Sequence, residues 1–274
     1  MGLLEIGLKV AKEAGAMLEK RIGTEFSVEE KSSSFDLVTE MDKASEKFIT
    51  EKILETFQDH KVFGEESIHQ SGRNIDDFLK GLKEEPFVWI LDPIDGTTNY
   101  VHQLPNYTIS IALLCYGEAK IGIIYNPSND ELFWAENGNG AYLNGQKLEV
   151  SKTKELSESL LATGFPTNIE HDRFMVLKGI QELGPLSRNI RVFGSAALHC
   201  AYVAAGRIHA FWEPGLNIWD VAAGTLLVKE AGGTVSEMDG SSYELASRTY
   251  LCSNGVIDLE VIKHLKKAIA ETIV

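Results

Sequence analysis

The sequence predicts a mixed α+β and α/β fold, with an antiparallel-rich sheet in the first half and a second, mixed sheet alternating with helices in the second half. Three observations predict it. A helical apolar period opens the chain, residues 87–150 break into short apolar runs separated by Gly, Asn and Pro, and strand-length and helix-length runs alternate from Leu160 onward. The 274 residues contain no low-complexity linker and no internal repeat, so we expect a single compact domain over 1–274, with approximate halves 1–150 and 151–274. An active site is expected between the halves.

Leu4, Leu8, Val10, Ala11, Ala14, Leu18 and Ile22 follow a helical period and Gly23 stands where a C-cap would, which predicts a helix over 3–21. Residues 24–38 are polar, contain Lys31-Ser32-Ser33-Ser34 and fit neither period, so an exposed, mobile loop is expected. Thr39 is placed to cap a second helix, with Asp42 in its first turn and Ala44, Phe48, Ile53, Leu54 and Phe57 on its buried face. A short strand, 61–64, runs into Glu65-Glu66-Ser67, and the hydrophilic residues 68–86 are expected outside the core.

The runs 87–92, 107–116, 118–126, 131–136 and 141–150 read as antiparallel strands joined by tight turns. Gly138-Asn139-Gly140 and Asn144-Gly145 lie between short strands with no helix following, which makes them hairpin turns rather than a nucleotide loop. In the second half the pattern predicts strands over 160–164, 189–193, 208–212, 234–237 and 249–252. Helices are predicted over 170–183, 195–205, 220–231 and 256–272.

Composition narrows the function classes. Hydrophobic residues make up 44% and charged residues 24%, as in an ordinary soluble globular protein. Against 40 acidic side chains stand 26 basic ones, a formal charge of -14 that argues against a nucleic-acid-binding or membrane-binding surface. Cys115, Cys200 and Cys252 are far apart in apolar surroundings and read as reduced core residues of a cytoplasmic protein. Charges at Glu5, Lys9, Lys12 and Glu13 interrupt any secretory apolar segment, and there is no apolar run of about 18 residues to span a membrane.

The stretch most telling about function is Trp89-Ile-Leu-Asp-Pro-Ile-Asp-Gly-Thr-Thr-Asn-Tyr-Val101. A buried strand here delivers Asp92 and Asp95 to its end, followed by Gly96, Thr97 and Thr98. Hard oxygen ligands beside free backbone N–H groups are how a protein holds a divalent cation and a phosphate together. Glu65 after a shorter strand and Asp220 at a helix start also arrive at element boundaries, where they can converge. Singly, Asp95 and Asp220 could be N-caps, Asp92 a turn residue before Pro93, and Glu65 a surface acid. A cap needs one acid, however, and this strand end supplies two. Oxygen ligands without an accompanying His or Cys cluster suit magnesium or manganese, and His102, His199 and His209, well separated in sequence, read as structural or surface residues.

Gly64-Glu65-Glu66-Ser67, residues 89–101, and Trp219-Asp220-Val221-Ala222-Ala223-Gly224 with Glu230-Ala231-Gly232-Gly233 resemble the signature segments of the inositol monophosphatase family. Lys31-Ser32-Ser33, Asp36-Leu37-Val38-Thr39 with Asp42, Gly138 to Gly145, and Gly194-Ser195-Ala196 extend the resemblance over nearly the whole chain. It implies a layered αβαβα sandwich of the sugar-phosphatase type and a magnesium-dependent, lithium-sensitive phosphatase with two or three Mg2+ per subunit, Mn2+ being a possible substitute. It also implies a homodimer.

The resemblance further implies that Glu65, Asp92 and the Ile94 carbonyl hold one ion and that Asp92, Asp95 and Asp220 hold a second. Glu65 would help hold a third, with Asp42 contributing through water. Asp95, Gly96 and Thr97 would bind phosphate, and Thr97, Asp42 and Glu65 would serve catalysis, Thr97 and Asp42 orienting the attacking water. Gly194, Ser195, Ala196 and Glu213 would contact the polyol. The implied reaction is in-line attack of a metal-activated water on a small phosphomonoester, first of all inositol-1-phosphate.

Other substrates use the same machinery: fructose 1,6-bisphosphate, 3'-phosphoadenosine 5'-phosphate, histidinol phosphate or the 2'-phosphate of NADP. Residues around 164–175, 191–196 and 211–217 would set the choice. Glu213 suits a polyol hydroxyl, whereas Arg173, Arg191 or Lys152 could receive a second phosphate. An aspartyl-nucleophile phosphatase is disfavoured, because the spacing Asp92-Pro93-Ile94-Asp95-Gly96-Thr97 carries one residue more than Asp-x-Asp-x-Thr. A binding subunit derived from the family would have lost ligands, and all are retained here.

Overall fold

The computed structural model describes residues 2–31, 37–72, 74–167 and 169–272. Ser32 to Asp36, which carry part of the N-terminal resemblance and about a third of the expected loop, lie outside the described residues.

The expected first helix is α1 (Leu3–Glu19), burying Ile6, Val10, Ala14 and Leu18 at helical spacing. Two three-residue strands follow, β1 (Val28–Glu30) and β2 (Leu37–Thr39), paired antiparallel with Val28 opposite Thr39. They correct the expectation of a structureless loop, since three residues are too few to display a period. Thr39 caps α2 (Glu40–Thr56): its hydroxyl accepts from Met41 N at 3.0 Å, while Asp42 Oδ2 accepts from Thr39 N at 2.7 Å, a reciprocal capping box.

After β3 (Lys61–Gly64) come two short helices, α3 (Glu65–Ser71) and α4 (Ile75–Gly81). Residues 68–86 are not wholly outside the core as expected. Ile68, Phe78, Leu79 and Leu82 are buried, because short helices can bury isolated apolar residues within a polar sequence.

β4 (Val88–Asp95) is buried along its whole length and leads into α5 (Thr97–Val101). β5 (Thr108–Cys115), β6 (Glu118–Asn126), β7 (Glu131–Glu136), β8 (Gly140–Leu143) and β9 (Gln146–Lys147) complete a sheet in the order β3-β4-β5-β6-β7-β8-β9 among the described residues. Only β3 and β4 pair in parallel in it. Both glycine-containing turns close hairpins, with Asn144 (φ 47°) and Gly145 (φ 82°) left-handed as a two-residue turn requires.

The second half supplies β10 (Leu160–Thr163), α6 (Phe174–Leu183) entered through a π-helical turn at Ile169–Arg173, β11 (Asn189–Arg191), α7 (Ala196–Ala204) and β12 (Ala210–Pro214). α8 (Ile218–Glu230), β13 (Thr234–Ser236), β14 (Thr249–Ser253) and α9 (Asp258–Thr272) end the fold. The sheet order is β11-β10-β12-β14-β13, with β10 parallel to both neighbours and the remaining pairs antiparallel.

Strand alternation builds the layers. On β4, Trp89 and Leu91 face α1 and α2, whereas Val88 and Ile90 face α7 and α8. On β12, Phe211 faces that same middle helical layer, whereas Ala210 and Trp212 pack with Met175, Val261 and Leu265 of α6 and α9. The result is the expected αβαβα sandwich. Fully buried Trp89 and Trp212 sit on its two outer interfaces, where burying a large apolar side chain stabilises by roughly 1.5–3 kcal/mol. Among the described residues no helix is long and apolar enough to cross a membrane.

Candidate active site

The site is built on an irregularity in β4. Asp92 pairs with Ser110 and Asp95 with Thr108, so three steps along β4 match two along β5. In a regular strand, residues three apart point to opposite faces; one extra residue in a bulge turns them to the same side. Pro93 is tolerated there because a bulge removes a ladder hydrogen bond that proline could not donate.

Asp92 is buried and its Oδ1 accepts from Ile94 N at 3.0 Å. Asp95 reaches across to α7: its Oδ2 accepts from Ser195 Oγ at 2.7 Å and Ala197 N at 2.6 Å, and its Oδ1 from Ala196 N at 3.3 Å. The Ala196 N–H therefore points to Asp95 rather than standing free. Thr97 Oγ1 lies 3.0 Å from Asp42 Oδ1 and 3.1 Å from Ile94 O, which joins three of the expected site residues. Gly96 (φ 96°) precedes α5 and gives that helix no side-chain cap. A Cβ there would lie 2.9 Å from Gly194 O and 3.0 Å from Asn106 O, so both conformation and space call for glycine.

Asp220, third residue of α8, is not the N-cap, which is Asn217, but closes the capping box by accepting from Asn217 N through Oδ2 at 2.6 Å. Its carboxylate also belongs to the cluster, as does buried Glu213 of β12. Glu65 and Asp95 line one cavity of about 360 Å3 together with Ser195, Glu213, Trp219 and Asp220. Gly194 and Ala196 border the same cavity.

Burial and mutual repulsion raise these acids. Asp92 is pushed well above the usual carboxylate range by burial, then by Glu65, Asp95 and Asp220. Asp220 is raised by burial, then by Glu65 and Asp95, and Glu213 by burial, then by Asp220 and Asp95. Asp95 and Asp42 are each pushed up to about 6, burial outweighing the hydrogen bonds they accept. Such a set calls for positive charge.

Part of it comes from a residue that sequence reasoning placed in an exposed loop. Lys31 Nζ lies 2.6 Å from Glu65 Oε1 and 2.5 Å from Glu66 Oε1, with only 10% of its side chain exposed. Burial disfavours its charged form, yet Glu65 and Glu66 outweigh this and raise its pKa. The polar run around Lys31 hid it, although that run carries the N-terminal resemblance.

Among the described residues no three His, Cys, Asp or Glu side chains already close on one point as a metal cage. The donor chemistry nevertheless fits a hard divalent cation, because the groups that raise one another are buried carboxylates. Two further residues at the site, His69 and Asn99, went unnoticed in the sequence, and a third, His199, was read only as structural or surface. His69 lines the cavity, one turn of α3 beyond Glu65. Asn99 and His199 both hydrogen-bond the Phe193 backbone. Of the other two histidines considered, His209 is structural, its Nδ1 accepting from Leu160 N at 2.9 Å, and His102 is exposed.

Comparison with known proteins gives the chain its family. The chain is 36% identical over 271 residues to a fructose-1,6-bisphosphatase/inositol-1-monophosphatase of Thermotoga maritima, covering 99% of this chain and 98% of the relative. It is 41% identical over 251 residues to an inositol-1-monophosphatase of Bacillus subtilis, covering 91% of each. To the protein named Nus factor SuhB of Escherichia coli it is 35% identical over 272 residues, covering 99% of this chain and 98% of that one. Among solved structures, the Thermotoga maritima IMPase superposes with a TM-score of 0.89 at 36% identity, covering 99% of this chain and all of that one. The family description that matches residues 2–272 is that of the inositol monophosphatases. With its fold and its full-length relatives in agreement, this chain belongs to the inositol monophosphatase family of phosphatases, which are phosphoric monoester hydrolases and generally metal-dependent.

Proposed function

We propose that the protein is a magnesium-dependent phosphatase of small phosphorylated polyols, with inositol-1-phosphate its first substrate. The observation that carries this reading is the cluster of Asp92, Asp95, Asp220 and Glu65, the last three of which line a cleft with Glu213. In this reading Glu65, Asp92 and the Ile94 carbonyl hold one Mg2+, and Asp92, Asp95 and Asp220 hold another. A third is held by Glu65, with Asp42 acting through water. Bound there, the ions supply Lewis acidity, lowering the pKa of a water and neutralising phosphate charge.

The chain's own groups do the rest. Thr97 and Asp42, hydrogen-bonded to each other, orient the water for in-line attack. Gly96 and Thr97 offer backbone N–H groups to the phosphate at the start of α5. Glu213 and the 194–196 segment receive the polyol.

The walls favour a single phosphate. Among the described residues, no Lys or Arg lines the cavity. Arg173 Nε donates to Pro166 O at 2.6 Å, and Lys152 is exposed beside Glu149 at 3.5 Å. Arg191 lies exposed on an edge strand. This supports monophosphorylated polyols over fructose 1,6-bisphosphate, 3'-phosphoadenosine 5'-phosphate or NADP. Histidinol phosphate stays a close alternative, because an acidic wall suits its ammonium group.

The reading extends to a cytoplasmic homodimer. Three free cysteines suit a reducing compartment, and exposed Phe174 and Leu177, three residues apart on α6, suit a subunit contact. The charge of -14 argues against nucleic acid as a partner.

The test is phosphate release from inositol-1-phosphate, histidinol phosphate, fructose 1,6-bisphosphate, 3'-phosphoadenosine 5'-phosphate and NADP, each with Mg2+ and with EDTA. Mg2+-dependent preference for inositol-1-phosphate is expected. Preference for another ester would keep the chemistry and change the substrate, and release unaffected by EDTA would overturn the metal dependence.

A further inference from the structure

We propose that His199 and Asn99 are a pair of positioning residues that hold the backbone N–H and C=O of Phe193 and so fix the polyol-contacting segment 194–196 relative to the phosphate-binding turn 96–97. The proposal rests on the reading of the cleft given above. His199 Nε2 accepts from Phe193 N at 3.0 Å. Asn99 Nδ2 donates to Phe193 O at 2.7 Å and, with its second hydrogen, to Asn106 O at 2.6 Å. Asn99 belongs to α5, two residues beyond Thr97, and His199 to α7, three residues beyond Ala196. The clamp thus ties the turn after β4 to the start of α7, 94 residues apart in sequence.

Each partner has little freedom to do otherwise. A backbone N–H can only donate, so Nε2 of His199 must carry the lone pair and Nδ1 the proton. That Nδ1 is fully buried and has no hydrogen-bond partner among the described residues. Burial holds the ring neutral, pushing its pKa down to about 3, so the acceptor persists over the working pH range. A core that leaves one imidazole nitrogen unsatisfied to place the other against Phe193 breaks a packing rule beside the site, where such departures concentrate.

The Asn99 amide, facing two carbonyl oxygens, is likewise fixed in orientation. Gly194 (φ 79°) completes the arrangement, since a Cβ on it would lie 2.8 Å from Asn99 Nδ2. The next residues then turn Ser195 Oγ, Ala196 N and Ala197 N onto Asp95.

The test compares His199→Leu, His199→Gln and Asn99→Ala with the wild type, with Mg2+ present, on inositol-1-phosphate and on p-nitrophenyl phosphate, whose leaving group has no hydroxyls for the 194–196 segment. Gln carries an acceptor at the distance of Nε2 and Leu does not. A loosened segment should raise KM for inositol-1-phosphate by about 10-fold in His199→Leu and Asn99→Ala, and lower turnover of p-nitrophenyl phosphate by a clearly smaller factor, the part felt through Asp95, with Gln restoring values to within about twofold. Melting temperatures report folding. Equal losses on both substrates, or a Gln variant that behaves like Leu, would overturn the proposal.

If the wild type hydrolyses no polyol phosphate, the functional reading fails and amide exchange over 193–197 decides the clamp separately. Faster exchange there in the Leu and Ala variants, but not in Gln, supports it. Unchanged exchange overturns it.

Discussion

Lys31 Nζ and Glu65 Oε1 lie 2.6 Å apart, joining a residue beside a short hairpin to the first residue of α3. The same ammonium touches Glu66. Lys31 therefore occupies one of the carboxylates proposed for cation binding and neutralises part of the acidic cluster. Lys31→Ala should leave Glu65 and Glu66 unpaired and destabilise the EDTA-treated protein by about 1–3 kcal/mol. Mg2+ should restore much of that loss, so its melting shift should be larger in the variant than in the wild type. Equal shifts in thermal melts of the two proteins would contradict this.

Acidity should stabilise the metal-free protein. Asp42 and Asp95 are raised to about 6 and Glu66 to about 7, burial being the first cause in each. Acids with raised pKa bind more protons folded than unfolded, so stability rises as pH falls through these values and is lost as pH climbs above them. With EDTA present, the melting temperature should rise from pH 8 to about 5, near the ordinary carboxylate range. With saturating Mg2+ the trend should weaken or reverse, because binding requires the ionised forms. A melting temperature in EDTA that falls over this interval would refute the assignment.

Asp220→Asn should separate chemistry from folding. The Asn side chain keeps an oxygen for Asn217 N, so α8 keeps its cap and circular dichroism should be unchanged. Loss of one anionic ligand should lower Mg2+-dependent phosphate release by roughly 10²–10³-fold or more. Asp95→Asn should lose similar turnover, with a larger drop in melting temperature because Asp95 also holds Ser195 and Ala197. Near-normal release by either variant would remove these residues from the site.

Gly194 and Gly138 form a matched comparison, at φ 79° and 82°. A Cβ at Gly138 meets nothing within 4 Å, whereas one at Gly194 lies 2.8 Å from Asn99 Nδ2. Gly138→Ala should cost only the left-handed strain, about 1–2 kcal/mol. Gly194→Ala should cost more and also lower turnover, since the neighbouring 194–196 segment must shift. Denaturant melts and phosphate release check both, and identical behaviour of the two variants would contradict the crowding at Gly194.

Much of the fold was legible in local pattern. The apolar period of α1, the Thr39 cap with Asp42 three residues on, the hairpin turns of the first sheet and the alternation of the second half all carry signals within about ten residues. Two regions were misread for the same reason. Residues 24–38 hold strands of three residues, and 68–86 hold helices of one or two turns whose buried Ile68, Phe78 and Leu82 are too few to show a period.

By itself the sequence determined the run of helices and strands, the acids at the ends of β3 and β4 and at the start of α8, and through them the family, whose resemblance implied the layered architecture. These are properties of short segments, set by side-chain period, capping and turn chemistry. Only the tertiary structure decided that a bulge turns Asp92 and Asp95 to one side, that Lys31 reaches Glu65 and Glu66, and that Asn99 and His199 hold the backbone of one residue. The contacts of Lys31 and Asn99 join residues 34 to 94 apart in the chain, and His199 takes its place through the packing of α7 between the two sheets. The physical reason is that local periodicity records which face a residue presents, while burial of charge and the partner each polar group finds depend on which elements the core brings together.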